Sequence, residues 1–169
     1  MRALCPIVIA TALLWPAPAL SACTGSPFHL LDFWLGKWRV TAGNEYAGRD
    51  VVTAELDGCA VTERWTDADG SHGESLFFYD AFAGHWQQIW ITDTPTRVGG
   101  LKYKTLIATF PDGGVRFQGI LPAPPGKAPI LDRTTLTPLS GGTVHQVIEI
   151  SKDGGTTWVD GFDAIYHRD

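Results

Sequence analysis

Short stretches in which apolar and polar residues alternate recur from residue 37 onward, separated by residues typical of turns. Such alternation places every second side chain on the same face and is typical of antiparallel β-strands. We predict nine or ten strands, near residues 37–43, 50–56, 60–66, 74–80, 86–92, 100–110, 114–121, 129–138, 143–151 and 157–167. No linker interrupts the pattern, so strands adjacent in sequence should pair within one all-β domain.

Three segments indicate how strands are connected. Asp112-Gly113-Gly114 and Ser140-Gly141-Gly142 contain residues that tolerate a positive φ, which tight hairpins require. The proline-rich residues 121–129 cannot donate a regular ladder of hydrogen bonds. They are therefore predicted to form a surface loop or flap.

Residues 151–158 read SKDGGTTW and resemble the Asp-box, S-x-D-x-G-x-T-W, known from sialidase propellers. In such a box the Asp carboxylate accepts backbone hydrogen bonds that close a hairpin, a glycine permits the turn, and the Trp packs beneath. We therefore expect Asp153, Gly155 and Trp158 to build a structural hairpin, and we do not infer sialidase activity.

The first 22 residues differ in composition from the rest of the chain. Arg2 precedes an apolar run over residues 3–15, followed by prolines and small residues, which is the layout of a secretory signal peptide. The run is shorter than the roughly 20 residues that a membrane-spanning helix needs. We predict a signal peptide over residues 1–22, a single domain over residues 23–169, and a periplasmic or secreted location.

Two cysteines, Cys23 and Cys59, are left once the predicted signal peptide and its Cys5 are removed. In an oxidising compartment such a pair is most simply a disulfide. However, residues 20–23, LSAC, resemble a bacterial lipobox, in which Cys23 would carry a lipid and anchor the domain to a membrane. The two outcomes exclude each other because lipidation consumes the Cys23 sulfur, and the sequence leaves both open.

Charge and motif spacing narrow the classes of function. The net charge is −5 and the 13 Lys and Arg residues form no cluster, so a nucleic-acid partner is not expected. Ser71 lies in GSHG rather than in the G-x-S-x-G turn of a hydrolase. The five histidines lack the H-x-H and H-E-x-x-H spacings of metal sites, so we predict no metal site. Nothing in the sequence indicates a cofactor or an oligomeric state.

A series of motifs resembles a family of secreted bacterial proteins of unknown function whose motif is F-D-F-W-L-G-x-W. The matching segments are residues 31–38 (LDFWLGKW), 57–60 (DGCA), 63–65 (ERW), 75–76 (SL), 79–80 (YD), 86–90 (WQQIW), the Asp-box and Tyr166. They span nearly the whole chain after the signal peptide, although Leu31 stands where the family usually has Phe. The family has no established activity, so this resemblance implies a fold without a function.

Gly36 and Trp38, with Arg168 near the end of the chain, also resemble the signature of lipocalin-like or calycin barrels. That resemblance implies that Trp38 closes one end of a barrel and that Arg168 lies over its ring, a cation–π contact of roughly 0.5 to 2 kcal/mol. Trp34 would seat a short helical turn against the same end. The predicted fold is a single antiparallel lipocalin-like β-barrel of about 8 to 10 strands, with a short helical turn before the first strand.

Strand alternation also predicts which residues face the interior. Val61, Glu63 and Trp65 share the more apolar face of their strand, so the Glu63 carboxylate should point inward, where it must be paired, hydrated or neutralised. Pairing with an interior arginine is the structural alternative for Glu63. Both faces of residues 86–91 are partly apolar, which leaves the orientation of that strand open. The candidate ligand-binding residues are Glu63, Trp65, Ser75, Tyr79, Trp86, Gln88 and Trp90.

We expect a barrel that binds one small apolar or aromatic molecule, because eight to ten strands enclose room for a single ligand of that size. An alternative is a cavity enzyme, an isomerase or hydrolase, in which Glu63 acts as acid or base with help from Tyr79 or His72. Another is a barrel resembling nitrobindin, with haem bound by His145 or His167, although alternation places His145 opposite the apolar side. A fourth is a purely structural or protein-binding module that uses exposed tryptophans.

Overall fold

The structure, a computed structural model, describes residues 23–96, 99–121, 126 and 128–169. Ten antiparallel strands form one closed barrel, in which each strand pairs with its neighbours along the chain and the last strand pairs with the first. Two short 3₁₀ turns, Ser26–His29 and Asp32–Trp34, precede the barrel. The strands are β1 (Gly36–Ala42), β2 (Glu45–Glu55), β3 (Ala60–Asp67), β4 (His72–Asp80), β5 (His85–Thr92), β6 (Leu101–Thr109), β7 (Val115–Leu121), β8 (Ile130–Pro138), β9 (Val144–Ser151) and β10 (Val159–Arg168). The predicted all-β barrel with a helical turn before its first strand is confirmed.

The strands occur where alternation predicts them, and β2 differs most at its start. It begins at Glu45 rather than near residue 50. The segment EYAGR does not alternate, but the tight turn after β1 holds it against that strand, and Tyr46 pairs with Thr41. The predicted signal peptide and most of the predicted loop at residues 121–129 lie outside the described residues.

The two ends of the barrel are built differently. The connections that follow even-numbered strands lie where β1 begins, together with the 3₁₀ turns, and we call this the closed end. The connections that follow odd-numbered strands lie at the opposite end, which we call the open end. The Asp-box follows β9 and therefore lies at the open end.

Trp38 closes one end of the barrel. Its side chain is fully buried, and its Nε1 donates a hydrogen bond to the backbone oxygen of Trp34 at 2.9 Å. The Arg168 guanidinium carbon lies 4.5 Å from the centroid of the Trp38 ring, and Nη1 donates to the backbone oxygen of Leu35 at 3.0 Å. Gly36 has a φ of 146°, and a Cβ there would meet Arg168 Nη1 at 2.6 Å, so glycine suits both this backbone and the position of the guanidinium. The expected contact between Trp38 and Arg168 is present.

Apolar side chains fill the closed half of the barrel above this tryptophan. Trp34 is fully buried, and its ring lies edge-to-face against Phe77 and Tyr166, with centroids 5.5 and 6.2 Å apart. The surrounding buried side chains are Leu31, Val40, Val52, Val61, Trp86, Val115, Phe117, Leu136, Val144 and Ala164. This apolar plug leaves only the open half of the barrel for a cavity.

Cys23 and Cys59 form a disulfide that ties the start of the domain to the turn between β2 and β3. Because the Cys23 sulfur is used in this bond, the structure favours the disulfide over the lipid anchor. A disulfide is consistent with an extracellular or periplasmic location. Among the described residues, no helix is long and apolar enough to cross a membrane.

The Asp-box forms the predicted hairpin between β9 and β10. Asp153 accepts hydrogen bonds from the Thr157 hydroxyl at 2.6 Å and from the Thr157 backbone N–H at 2.9 Å. These bonds lower the pKa of Asp153 to about 2. Trp158 Nε1 donates to the backbone oxygen of Gly155 at 3.0 Å, and the Arg133 guanidinium lies 3.9 Å from a Trp158 ring centroid. The motif is therefore a structural element of the outer wall.

Candidate functional site

A cavity of about 320 Å³ occupies the open half of the barrel. This volume lies at the lower end of the roughly 300 to 1,000 Å³ that small-molecule pockets occupy. The apolar wall of the cavity consists of Trp65, Trp90, Leu121, Ile130, Ile148, Ile150 and Phe162. The polar floor consists of Glu63, Gln88, Lys102, Lys104, Asp132, Thr134, Gln146 and Tyr166.

Two glycines make room for the tryptophans of the wall. A Cβ on Gly48 would meet the Trp65 ring at 2.7 Å, and a Cβ on Gly73 would meet the Trp90 ring at 2.3 Å. Each ring therefore lies over a glycine of the adjacent strand instead of extending across the cavity. Trp65 also packs edge-to-face against Phe162, with centroids 6.0 Å apart. This packing keeps the space between the aromatic rings open.

Glu63, Ser75 and Gln88 form a hydrogen-bonded row across β3, β4 and β5. Ser75 Oγ donates to Glu63 Oε2, and Gln88 Nε2 donates to Ser75 Oγ at 3.1 Å. Gln88 Oε1 is buried and has no hydrogen-bond partner among the described residues. Buried acceptors are normally paired, so this oxygen is available to a donor on a bound molecule.

The opposite side of the floor holds a buried cluster of ion pairs between β6 and β8. Asp132, which is 1% exposed, pairs with Lys102 Nζ at 2.9 Å and with Lys104 Nζ. Lys104 Nζ also donates to Thr134 Oγ1. Strand β7 runs between these two strands, and its residue beside Asp132 is Gly119. Gly119 lets β7 lie close to β6, because a Cβ at this position would collide with the Tyr103 backbone oxygen.

Two further ionisable groups complete the floor. Asp50 on β2 is 1% exposed, and its carboxyl group adjoins that of Glu63 closely enough for each to affect the protonation of the other. The Tyr166 hydroxyl donates to Gln146 Oε1 at 2.6 Å, and the Tyr166 ring packs against Trp38. The polar floor therefore rests directly on the apolar plug.

Burial shifts the protonation of these groups. It raises the pKa of Glu63 to about 7, against the lowering effects of the hydrogen bond from Ser75 and of the nearby lysines. Burial and the adjoining Glu63 charge raise the pKa of Asp50 well above its usual range. Burial lowers the pKa of Lys104 to about 8, although Asp132 opposes this shift. The floor thus holds an acid and a base that titrate near neutral pH, as groups at functional sites often do.

The structure places the predicted ligand-binding residues in two regions. Those that line the cavity are Glu63, Trp65, Gln88 and Trp90. Ser75 is buried behind them and reaches the site through its hydrogen bonds. Trp86 and Tyr79 lie at the closed end and do not line the cavity. There Trp86 Nε1 donates to the backbone oxygen of Pro27 at 2.7 Å, and the Tyr79 ring packs against Phe28.

Sequence reasoning missed the cationic half of the floor. The available signal was the alternation of Lys102 and Lys104, which places both side chains on one face of β6. The other face carries Leu101 and Tyr103, which hydrophobicity alone would assign to the interior. In the structure Tyr103 is 55% exposed and Lys104 is 2% exposed. The ion pair with Asp132 makes this reversed arrangement possible, and that partner lies two strands away in the barrel.

The histidines considered for catalysis or haem binding lie outside the cavity. His72 lies at the rim of the open end and its backbone N–H donates to Asp93 at 2.9 Å. His145 pairs with Asp163 at 2.7 Å, and His167 is exposed. Within the part of the chain that the structure describes, no group of three or more His, Cys, Asp or Glu side chains could hold a metal ion.

Comparison of the chain with models of protein families finds no match, and neither does a search of curated proteins. The class of protein is defined by its geometry, a closed ten-strand antiparallel barrel with an apolar plug in one half and a cavity with a charged floor in the other. The resemblance to a secreted bacterial family stays a prediction.

Proposed function

We propose that this protein binds a small apolar or aromatic molecule in the cavity at the open end of the barrel, in the periplasm or outside the cell. The observation that carries the proposal is the cavity, in which Trp65, Trp90 and Phe162 belong to an apolar wall above a few polar groups. Burying a ligand against such a wall is favourable by roughly 25 cal/mol per Å² of apolar surface. The polar groups would orient the ligand.

Fluorescence titration with N-phenyl-1-naphthylamine, a neutral aromatic probe, tests this proposal. The probe should bind the wild-type chain with increased emission. Ile148→Trp adds bulk within the cavity and should weaken binding by at least about tenfold. Ile107→Trp makes the same change on the outer wall, where Ile107 is 53% exposed, and should leave the affinity unchanged. No binding by the wild type, or an equal loss in both variants, would overturn the proposal.

The natural ligand requires a separate measurement. Native mass spectrometry of the protein purified from its own host should show a co-purified mass in the range of a small molecule. The Ile148→Trp variant should lack that mass, while the Ile107→Trp variant should retain it. This pair of variants separates cavity occupancy from binding to the outer wall.

A second candidate is a cavity enzyme, an isomerase or hydrolase, in which Glu63 acts as acid or base. One observation favours it: the pKa of about 7 for Glu63 on the cavity floor suits proton transfer near neutral pH. The helpers predicted from sequence are not beside Glu63, because Tyr79 lies at the closed end and His72 at the rim. Lys104, with a pKa of about 8, is an ionisable neighbour. Turnover that survives Glu63→Gln on a substrate found by screening would contradict this candidate.

The two remaining alternatives gain no support. His145 and His167 are not among the residues that line the cavity, so the geometry does not favour haem bound by either one. Each tryptophan that the structure describes is buried or half-buried, so none offers the exposed ring that a tryptophan-based protein interface would use.

A further inference from the structure

The charges on the cavity floor narrow the class of ligand. We propose that the cavity takes an organic acid, whose carboxylate lies on Lys102 and Lys104 and whose apolar body lies along the wall formed by Trp65, Trp90 and Phe162. This inference rests on the proposed function, because it names the ligand class of the same cavity.

The two lysines have more donors than the protein satisfies. Both line the cavity, and both pair with the one carboxylate of Asp132. An ammonium group carries three N–H donors. Lys104 directs a second donor to Thr134, whereas Lys102 has no second acceptor among the described residues. Carboxylate oxygens are strong acceptors for ammonium donors, so a ligand carboxylate matches what this side of the floor lacks.

The other two acids of the floor do not fully neutralise the positive charge of the lysines. Asp50 and Glu63 adjoin each other in the interior, and burial and their mutual repulsion raise the pKa of Asp50, so the pair resists carrying two negative charges. Lys102, Lys104 and Asp132 together leave one positive charge, which the acid pair cancels only when one of its members is ionised. A bound carboxylate would cancel that charge while the acid pair takes up a proton.

The groups that face this cluster come from most strands of the barrel. The ionisable ones are Asp50 from β2, Glu63 from β3, Lys102 and Lys104 from β6, Asp132 from β8 and Tyr166 from β10. The side chains from β4, β5, β8 and β9 at this level do not titrate, and they are Ser75, Gln88, Thr134 and Gln146. Asp67 lies nearer the opening of the cavity, at the end of β3.

An amine fits this floor less well than an acid does. Its ammonium group would find acceptors in Glu63 and in the unpartnered Gln88 Oε1. It would, however, add a third cation to a buried space that already holds Lys102 and Lys104. Like charges in a space of low polarity repel strongly, so the amine should bind more weakly than a neutral analogue.

Proton uptake on binding should make the affinity for an organic acid depend on pH. A bound carboxylate favours the protonated forms of Glu63 and Lys104, whose pKa values are about 7 and about 8. Affinity for an acid should therefore be highest below about pH 7 and fall as the pH rises through that value. A simple carboxylic acid is itself ionised throughout this range, so its own titration does not contribute.

Calorimetric titration of the protein with three matched naphthyl compounds tests the inference. At about pH 6.5, 2-naphthoic acid should bind at least about tenfold more tightly than 2-naphthamide, and 2-naphthylmethylamine should bind most weakly. Lys102→Gln should reduce the ratio of acid to amide affinity by at least about threefold, and Lys102→Arg, which keeps the charge, should largely restore it. At about pH 7.5, buffers of different ionisation enthalpy should reveal uptake of up to about one proton with the acid and none with the amide.

The outcomes separate this inference from the proposed function. Equal binding of acid and amide, tightest binding of the amine, or acid binding without proton uptake would overturn the inference. Failure of the acid to bind while N-phenyl-1-naphthylamine still binds would also overturn it, and in all these cases the proposed function stands. If neither the naphthyl compounds nor the probe binds, both fall together.

Discussion

Glu63 links the stability of the barrel to pH through a single side chain. Its pKa rises from 4.5 to about 7 on folding, so between these values the folded chain holds a proton that the unfolded chain has released. The stability associated with neutral Glu63 is complete below about pH 4.5 and is lost as the pH rises to about 7. At roughly 1.4 kcal/mol per pKa unit, the loss is on the order of 3 kcal/mol. Asp50 acts in the same direction.

Glu63→Gln should remove most of this pH dependence, because glutamine stays neutral and keeps an acceptor for Ser75. Urea unfolding at about pH 5, 6 and 7.5 measures it. The wild-type free energy of unfolding should fall across this range, and the variant should fall less and exceed the wild type at about pH 7.5. Glu74→Gln, a matched change at a side chain that is 62% exposed, should follow the wild type. A wild-type pH profile for Glu63→Gln would rule out Glu63 as the responsible group.

Burial of the Trp38 side chain should contribute more to stability than the contact between Arg168 and the Trp38 ring. Trp38→Ala leaves a cavity in a fully buried position and should lower the free energy of unfolding by about 3 to 5 kcal/mol. Arg168→Met keeps an unbranched chain over the ring but removes the guanidinium, and should lower it by about 0.5 to 2 kcal/mol. Urea unfolding at constant pH measures both variants. A fully stable Trp38→Ala chain would contradict the role of Trp38 as a plug.

Within the strands, two glycines determine how the aromatic wall is seated. Gly73→Ala places a Cβ 2.3 Å from the Trp90 ring and should displace that ring into the cavity. We expect a loss of about 1 to 3 kcal/mol in the free energy of unfolding, and weaker binding of the fluorescent probe. Gly25→Ala is the control, because Gly25 lies before the barrel and a Cβ there would meet only the Pro27 Cδ at 3.6 Å. The prediction is wrong if both alanines have the same effect on probe binding.

The Asp-box hairpin should depend on Asp153 locally and not through the barrel. Asp153→Ala removes the acceptor for the Thr157 backbone N–H and should speed amide hydrogen exchange at residues 156–157. Asp112→Ala is the corresponding change in the hairpin before β7, where Asp112 Oδ1 accepts from the Gly114 N–H at 2.9 Å. Each variant should raise exchange in its own hairpin only. Faster exchange along β1 in the Asp153→Ala chain would show that the hairpin supports the whole barrel.

For the molecule as a whole, the disulfide links the first described residue to the turn after β2. Cys23 and Cys59 are 36 residues apart. A disulfide over a loop of this size restricts the unfolded chain and so stabilises the folded state by about 2 to 4 kcal/mol. The double variant Cys23→Ser, Cys59→Ser should therefore have a free energy of unfolding that is lower by that amount, measured by urea unfolding. Reductant should destabilise the wild type similarly and leave the double variant unchanged. Equal stability of the oxidised wild type and the double variant would contradict this prediction.

Strand alternation located some of the candidate site residues and not others. Alternation placed Glu63 and Trp65 inside correctly, because one neighbouring apolar residue is enough to identify the buried face of β3. The same rule left the orientation of Trp86 open and placed Tyr79 only on the strand face that Ser75 shares, and it could not give the height of either along the barrel. They pack at the closed end, while Trp90, on the same face of β5, lines the cavity.

The number and order of the strands, most of the turns between them and the inward face of β3 were readable from the chain, because they depend on neighbours a few residues apart. The cavity and its charges were not. Lys104 and Asp132 are 28 positions apart, and they meet because barrel closure brings β6 and β8 to either side of β7 with both side chains facing inward. Whether two lysines face water or the interior is decided by a partner that closure of the barrel supplies, and strand alternation carries no information about that partner.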